Sequence, residues 1–302
     1  MTDKYGVKVT VVTVVYNGAE YIERAIDSVA AQSYPNIEYI IVDGGSTDGT
    51  VDMIKKFEVR SLERSGGEVG NTFEFKWLSE KDRGMYDAIN KGIKMSTGDV
   101  VGILNADDVL AADDTLAKIV SAFNPSKRTT LNSQLSTNNS SVPPLLRSSA
   151  VDCVYADIRF VREGRTVDEV RSAKTVRYCS AKFFRPWMFR FAVMVPHPSF
   201  YCRRELFAKF GAYSLDYRIC ADFELVMRYM WKHRIRSRYL NEDVVVMRMG
   251  GASTSGVRSN IVINREDLKA LKANGYWSAM WLIYFKYLFK IWGFVFVRRN
   301  RS

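Results

Sequence analysis

The run at 7–16, VKVTVVTVVY, constrains the fold more than any other segment. It is β-branched and almost continuously apolar, with no alternation of wet and dry positions. Such a strand must be buried on both faces, which happens in a parallel sheet covered by helices on each side. Asn17-Gly18 breaks the run, and a helical pattern follows with Ile22, Ala25, Ile26 and Val29 on one side, stopped by Tyr34-Pro35. The order then repeats. Strands are predicted at 37–42, 73–78 and 99–104, and helices at 50–57 and 86–95. This alternation predicts an α/β fold, a mostly parallel sheet flanked by helices.

The segment 124–150 differs in kind. It reads NPSKRTTLNSQLSTNNSSVPPLLRSSA, rich in Ser, Thr and Asn, and predicts a flexible surface insertion. Strands resume at 152–161 and 199–202, helices at 204–210 and 221–233, then a strand at 238–248 and a helix at 260–274. The tail at 276–297, YWSAMWLIYFKYLFKIWGFVFV, is long enough to cross a bilayer. Lys286 and Lys290, however, sit in its middle one turn apart, and each charge costs roughly 2.5–3.5 kcal/mol in a spanning helix. The expectation is an in-plane, membrane-associating helix. Both lysines would stand at the headgroups, Trp277, Trp281, Leu288 and Trp292 at the acyl boundary, and Arg298, Arg299 and Arg301 on anionic lipid. The alternative is an apolar helix docked on the protein's own core.

Over 302 residues, 47% are apolar, enough for a sizeable core, which excludes a disordered chain. The formal charge of +11 favours an anionic partner: nucleic acid, a phosphate-bearing ligand or an acidic membrane surface. The basic residues are scattered and concentrate beside the tail aromatics without a recognised nucleic-acid module, so no nucleic-acid partner is expected. Cys153, Cys179, Cys202 and Cys220 show neither C-x-x-C nor metal-ligand spacing, which weighs against a disulfide framework or a zinc site. With no signal-peptide pattern at 1–8, a cytoplasmic location is expected.

In an open α/β sheet, ligands bind beyond the carboxyl ends of the strands. Acids gather at that edge: Asp43, then Glu80 and Asp82, then Asp107 with Asp108. Carboxylates beside a diphosphate make sense with a divalent cation between them, and Mg²⁺ or Mn²⁺ takes such oxygen ligands. Asp48 suits a turn role. Two other phosphate motifs are excluded. No G-x-G-x-x-G follows the first strand, and Gly44 and Gly49 have P-loop spacing with Thr50 and Val51 where Lys and Ser/Thr are needed.

TVVTVVYNGAEYIERAIDSVAAQSYPNIEYIIVDGGSTDGT resembles the opening of family 2 glycosyltransferases of the GT-A fold. EKDRGMYDAINKGIKMSTGDVVGILNADD resembles their middle, and HPSFYCRRELFAKFGAYSLDYRICADFELVMRY their acceptor half. The resemblance covers 8–249, interrupted by the insertion, and is nearest to bacterial enzymes that build O-antigen and exopolysaccharide repeat units. It implies a glycosyltransferase domain over 1–258, with a nucleotide-sugar half (1–108), the insertion and an acceptor half (151–258), followed by the membrane-associating tail at 259–302.

The resemblance also implies roles. Thr13, Tyr16 and Asn17 line the nucleotide pocket, and Asp43 lies near base and ribose. The family often has a second acid next to it, where Gly44 stands here. Asp82 and Arg83 close over the nucleotide. Asn105-Ala106-Asp107 stands in place of the Asp-x-Asp metal motif, with Asp107 the main ligand to Mn²⁺ or Mg²⁺ and Asp108 a helper. His197 matches a position near the diphosphate, as a metal or phosphate contact or as a structural histidine. Asp222 matches the general base that takes the acceptor hydroxyl's proton; the bland alternative is a charge at a helix N-terminus.

The implied activity is inverting, metal-dependent transfer from a nucleotide-diphosphate sugar, a UDP-hexose or UDP-N-acetylhexosamine, to a glycan acceptor. A lipid-linked acceptor at the inner face of the cytoplasmic membrane fits the basic, aromatic tail, because tethering raises its effective concentration. The alternative is an inactive nucleotide-sugar-binding or scaffold protein, to which Asn105 lends some weight.

Overall fold

The computed structural model describes residues 6–64, 72–123, 151–162, 164–249 and 256–288. The expected insertion lies outside the described residues, as does the tail beyond 288.

Strand β1 (Val9–Val15) is buried at every position. It lies between β2 (Asn36–Asp43) and β4 (Val100–Asn105), parallel to both, and β3 (Thr72–Ser79) extends the parallel set beyond β2. Because side chains alternate across a strand, β1 feeds two cores. Val12 and Val14 join Ile40, Val42 and Ile89 on one face. Val9, Val11 and Val15 join Ile37, Ile41, Ile26 and Ile54 on the other. Helices α1 (Ile22–Ala30), α2 (Thr50–Arg64) and α3 (Met85–Met95) connect these strands. Gly92 lets α3 lie close to the sheet: a Cβ there would fall 2.4 Å from a Val12 methyl.

The second half is mixed. Beyond β5 (Val109–Leu110) and α4 (Thr115–Phe123), β6 (Cys153–Val161), α5 (Val167–Ser172) and β7 (Arg177–Cys179) lead to β8 (Tyr201–Arg203) and α6 (Glu205–Phe210). Helix α7 (Ala221–Met227), β9 (Ser237–Arg248), α8 (Gly256–Ala273) and α9 (Met280–Tyr284) complete the order. The sheet runs β3-β2-β1-β4-β8-β6-β9-β5, with β7 on β6. Strand β8 is antiparallel to β4 and β6, whereas β9 is parallel to β6. The α/β expectation holds, with antiparallel joints in the second half.

The short β5 and β7 carry no sequence signal of their own; α4, with Leu116, Ile119, Val120 and Phe123 at helical spacing, and α5, capped by Thr166, do carry one but are not among the expected elements. The helix expected over 221–233 turns into a π-helical segment after Met227.

The tail corrects the sequence reading. Lys286 does not face headgroups. It is buried against Asp267 of α8, with Nζ 2.7 Å from Oδ2. Burial holds the Asp267 carboxyl above the usual range, Lys286 opposing this in part. Among the described residues no helix is long and apolar enough to cross a membrane. Lys290, Trp292 and the terminal arginines lie outside the described residues.

At the amino-terminal end of the sheet, Glu38 is fully buried in β2. Its carboxylate accepts from Lys76 Nζ (2.7 Å), Thr10 Oγ1 (2.5 Å), and the Thr97 N–H (2.8 Å) and hydroxyl (2.7 Å). Burial alone would raise its pKa, but these donors together bring it from 4.5 down to about 2. A depressed carboxylate stabilises the fold above its unfolded pKa, and that stability is lost as pH falls through the folded value. About 3 kcal/mol should therefore disappear between pH 4.5 and 2. Urea unfolding at stepped pH should show Glu38→Gln less stable at pH 7 and shallower in slope across that window. An unchanged slope would refute the assignment.

Candidate active site

The carboxyl edge of the sheet is assembled by loops that satisfy each other's polar groups. Asn17 ends β1 in the left-handed region at φ 49°, which its short polar side chain tolerates. Its N–H donates to Ser46 Oγ (2.7 Å) and its Oδ1 accepts from the Thr47 N–H (3.0 Å). Asp43 is buried, and its carboxylate accepts from the N–H groups of Gly45 and Ser46 and the hydroxyls of Ser46 and Ser79. Asp43 thus holds the loop after β2 to the end of β3. Asp48 accepts from Thr50 and from the Ala19 N–H, a turn role. Thr13 is corrected: it is fully buried and its hydroxyl accepts from Tyr39, so its side chain supports the edge from beneath and does not line it.

Tyr16 is exposed at this edge, beside Gly44. Asp82 faces the same spot. Its Oδ1 accepts from the Gly84 N–H (2.8 Å), and its Oδ2 lies where a Cβ on Gly44 would be only 2.6 Å away. The missing side chain at 44 is the space that the Asp82 carboxylate uses. Arg83 points outward and pairs with Asp87 at 3.3 Å.

At the end of β4, Asn105 Nδ2 donates to Asp108 Oδ2 (2.8 Å). Asp108 is fully buried, and its Oδ1 has no partner among the described residues. Burial first, then the adjacent Asp107 charge, push its pKa well above the carboxylate range. Asp108 therefore sits under the edge, where it does not help at the surface as expected. Asp107 is half-buried, and its carboxylate takes no hydrogen bond or ion pair among the described residues. No three His, Cys, Asp or Glu side chains converge there among the described residues. That donor set still fits Mg²⁺ or Mn²⁺, which take one or two carboxylates and complete their shells with phosphate oxygens and water. Asp107 is the carboxylate left open at this edge, and Asp108 is buried behind it.

A second constellation lies across α3. The Tyr86 hydroxyl meets the Ile219 carbonyl and, at 3.1 Å, Asp222 Oδ1, which also accepts from the Phe223 N–H. Asp222 Oδ2 takes no hydrogen bond among the described residues. Tyr213 stacks on Tyr86 with centroids 5.7 Å apart, and its hydroxyl meets His197 Nε2 at 2.6 Å. Burial lowers the His197 pKa, with Asp222 opposing, which favours the neutral imidazole. The turn His197–Ser199 packs on both β4 and α7 and so joins the two constellations. His197 is thus committed to Tyr213 through Nε2. Glu224 is taken up by Arg228 at 2.8 and 3.1 Å.

Within the family-like stretch quoted above, the motif GMYDAINKG over 84–92 has its polar side chains bonded in turn. Tyr86 reaches Asp222, Asp87 receives the Arg83 N–H, Asn90 bonds both backbone groups of Tyr213, and Lys91 holds the Lys81 carbonyl. Tyr86 and Tyr213 were absent from the residues singled out in the sequence. The signal for Tyr86 lay in that motif, whereas nothing marked Tyr213.

The family model for glycosyl transferase family 2 matches residues 10–141. A PGL/p-HBAD biosynthesis glycosyltransferase of Mycobacterium tuberculosis is 28% identical over 84% of this chain and 80% of its own length. An uncharacterized glycosyltransferase of the same species is 30% identical over 73% of this chain and 68% of its own. Among solved structures, the mannosyltransferase PcManGT of Pyrobaculum calidifontis, in complex with GDP-Man and Mn²⁺, matches with TM-score 0.58 at 20% identity. It covers 98% of this chain and 74% of that one. S. aureus TarS 1-349 in complex with UDP-GlcNAc matches with TM-score 0.54 at 16% identity, over 87% of this chain and 66% of that one. These structural likenesses concern the fold.

The two carboxylates at the edge should separate on stability. Asp43→Ala removes a buried, fully bonded group and is expected to cost about 2–3 kcal/mol. Asp107→Ala removes an unbonded one and should stay within about 0.5 kcal/mol of wild type. Denaturant unfolding checks both, and equal losses would contradict the division.

Proposed function

The chain belongs to glycosyl transferase family 2 and is a glycosyltransferase, and on that premise we propose that it performs inverting, metal-dependent transfer from a nucleotide-diphosphate sugar to a lipid-linked glycan in cell-surface polysaccharide biosynthesis. The donor half is 1–108 and the acceptor half 151–258. The observation that carries this reading is a pair of carboxylates with free oxygens, Asp107 at the end of β4 and Asp222 in the first turn of α7. Asp43, Asp48 and Glu224 nearby have their oxygens taken up by donors of the fold.

Tyr16, Asn17 and the Gly44–Asp82 contact form the nucleotide side, on the loop that buried Asp43 holds in place. Asp82 places a carboxylate where Gly44 has none, and a UDP donor suits a carboxylate there. The structural relatives are complexes with GDP-Man in one case and UDP-GlcNAc in the other, so the fold accommodates either base. Asn105 does not disable the edge, because its amide satisfies Asp108 and leaves Asp107 free.

On the acceptor side, Asp222 Oδ2 takes the proton of the incoming hydroxyl as the new bond forms at the sugar. Tyr86 fixes Oδ1, so the carboxylate presents one oxygen in one orientation. Neutral His197 holds the Tyr213 ring against Tyr86. When bound at Asp107, Mg²⁺ or Mn²⁺ supplies Lewis-acid neutralisation of the departing diphosphate. The exposed aromatic side chains of the tail support peripheral binding at the inner face of the cytoplasmic membrane, where a lipid-linked acceptor resides.

Asp222→Asn keeps the shape and removes the acceptor of the proton. Transfer should fall by about 10²–10⁴ fold with donor affinity nearly unchanged. A variant that lost donor affinity and kept turnover would put Asp222 in the donor site. A panel of UDP-, GDP- and dTDP-sugars titrated with and without Mn²⁺ identifies the donor. Asp107→Ala should abolish the Mn²⁺ dependence of that binding; wild-type donor binding and turnover in Asp107→Ala would overturn the metal assignment.

A further inference from the structure

Trp187 lies in the 3-10 turn Pro186–Phe191 and is 57% exposed. Its ring meets Phe191, Phe191 meets Phe285, and Phe285 meets Trp281, with centroids 5.9, 6.0 and 6.3 Å apart. Ser278 ties the two segments by donating to the Arg190 carbonyl at 2.8 Å. Trp281 is 60% exposed and Phe183, just before the turn, 70%. A ridge of large apolar side chains, contiguous across two distant parts of the sequence and left in water, marks a contact surface.

The surrounding charge identifies the partner. Within and just before the turn, Lys182, Arg185 and Arg190 are exposed and form no ion pair among the described residues. Helix α8 presents Arg265, Lys269 and Lys272 along a groove of about 470 Å³ that reaches Met280, next to Trp281. The acids of α8 are turned away from it. Glu266 accepts from the N–H groups of Arg218, Ile219 and Cys220, and Asp267 is buried with Lys286. Lys269 donates to the Asp216 carbonyl and lies over the Tyr217 ring, with no acid paired to it among the described residues.

We infer that this composite face, the aromatic ridge with exposed cations of its own turn and of α8 that form no ion pair among the described residues, docks on an anionic bilayer. Tryptophan and its aromatic neighbours occupy the interface, and these cations meet lipid phosphates. The inference rests on the proposed membrane association and deepens it. The contact is assigned to the acceptor half and α8 as well as to α9, and it needs nothing beyond residue 288. In the same turn, buried Phe189 packs against Phe223, the residue after Asp222, with centroids 5.9 Å apart. The docked face and the candidate base therefore belong to one packed unit.

The test is sedimentation of the full chain with phosphatidylcholine vesicles, with and without phosphatidylglycerol. Wild type should bind the anionic vesicles and weaken with salt. The Phe183→Ser/Trp187→Ser variant should bind at least about tenfold more weakly. Arg265→Gln/Lys269→Gln/Lys272→Gln should lose about fivefold per cation removed, and with it most of the preference for phosphatidylglycerol. All these positions are exposed, so melting temperatures should match wild type. As a check within the folded protein, acyl-brominated lipid should quench tryptophan fluorescence less in Trp187→Phe than in wild type. If wild type binds and both multiple variants bind equally well, this face is not the contact, while association through the tail stands. If wild type ignores both vesicle types, both readings fall. A concentration-dependent dimer lost in Phe183→Ser/Trp187→Ser would reassign the face to a second copy of the chain.

Discussion

Burial of β1 on both faces is the constraint from which the rest follows. A strand without a wet side has to be covered by helices above and below, and short connections then make its neighbours parallel. Parallel strands end together, so β1, β2, β3 and β4 deliver Asn17, Asp43, Ser79 and Asn105 to one edge. The opposite end is closed by the Glu38 cluster, where every charge has a partner. The sheet thus has a satisfied end and an open end, and the chemistry belongs at the open one.

The second half is joined to that edge by a few specific bonds. Tyr86 crosses from α3 to Asp222, and Asn90 pairs with the backbone of Tyr213. Behind Asp222, Glu266 of α8 gathers the N–H groups of 218–220 and so fixes the loop that enters α7. Helix α8 is in turn pinned to the segment after α9 by Lys286 and Asp267. Removing one member of a buried pair of this kind costs about 3–5 kcal/mol, because the other charge is left stranded. A continuous set of contacts therefore runs from the exposed aromatic ridge to the candidate base.

Much of this was legible in the residues. The unbroken apolar run at 7–16 dictated a doubly covered strand, and the acids closing successive strands marked the edge. What periodicity could not reveal was pairing at a distance. Lys286 looked like a headgroup contact because its helix is aromatic, yet Asp267, nineteen positions earlier, gives it a buried partner. Thr13 looked like a pocket residue through the family resemblance, yet its hydroxyl accepts from Tyr39 within the core. Gly44 looked like a missing acid, and only the fold brings Asp82 to the same place. The short strands β5 and β7 have too few residues to show any period, and they form because β9 and β6 offer them an edge.

The distinction that sorts these acids is whether a carboxylate is already satisfied. Glu38, Asp43, Asp48 and Glu224 have their oxygens filled by donors of the fold, and such groups hold loops and strands in place. Asp107, and Oδ2 of Asp222, have none among the described residues. Proteins rarely leave a partly buried carboxylate without donors, since the desolvation is uncompensated. Two such oxygens stand on elements joined by one turn, at the open end of a parallel sheet, where a bound ligand can supply the compensation. A nucleotide diphosphate with its cation would compensate Asp107, and a hydroxyl proton would compensate Asp222. The same logic applies to the outer surface, where exposed cations accompany exposed rings: what the fold leaves unsatisfied defines what it is built to meet.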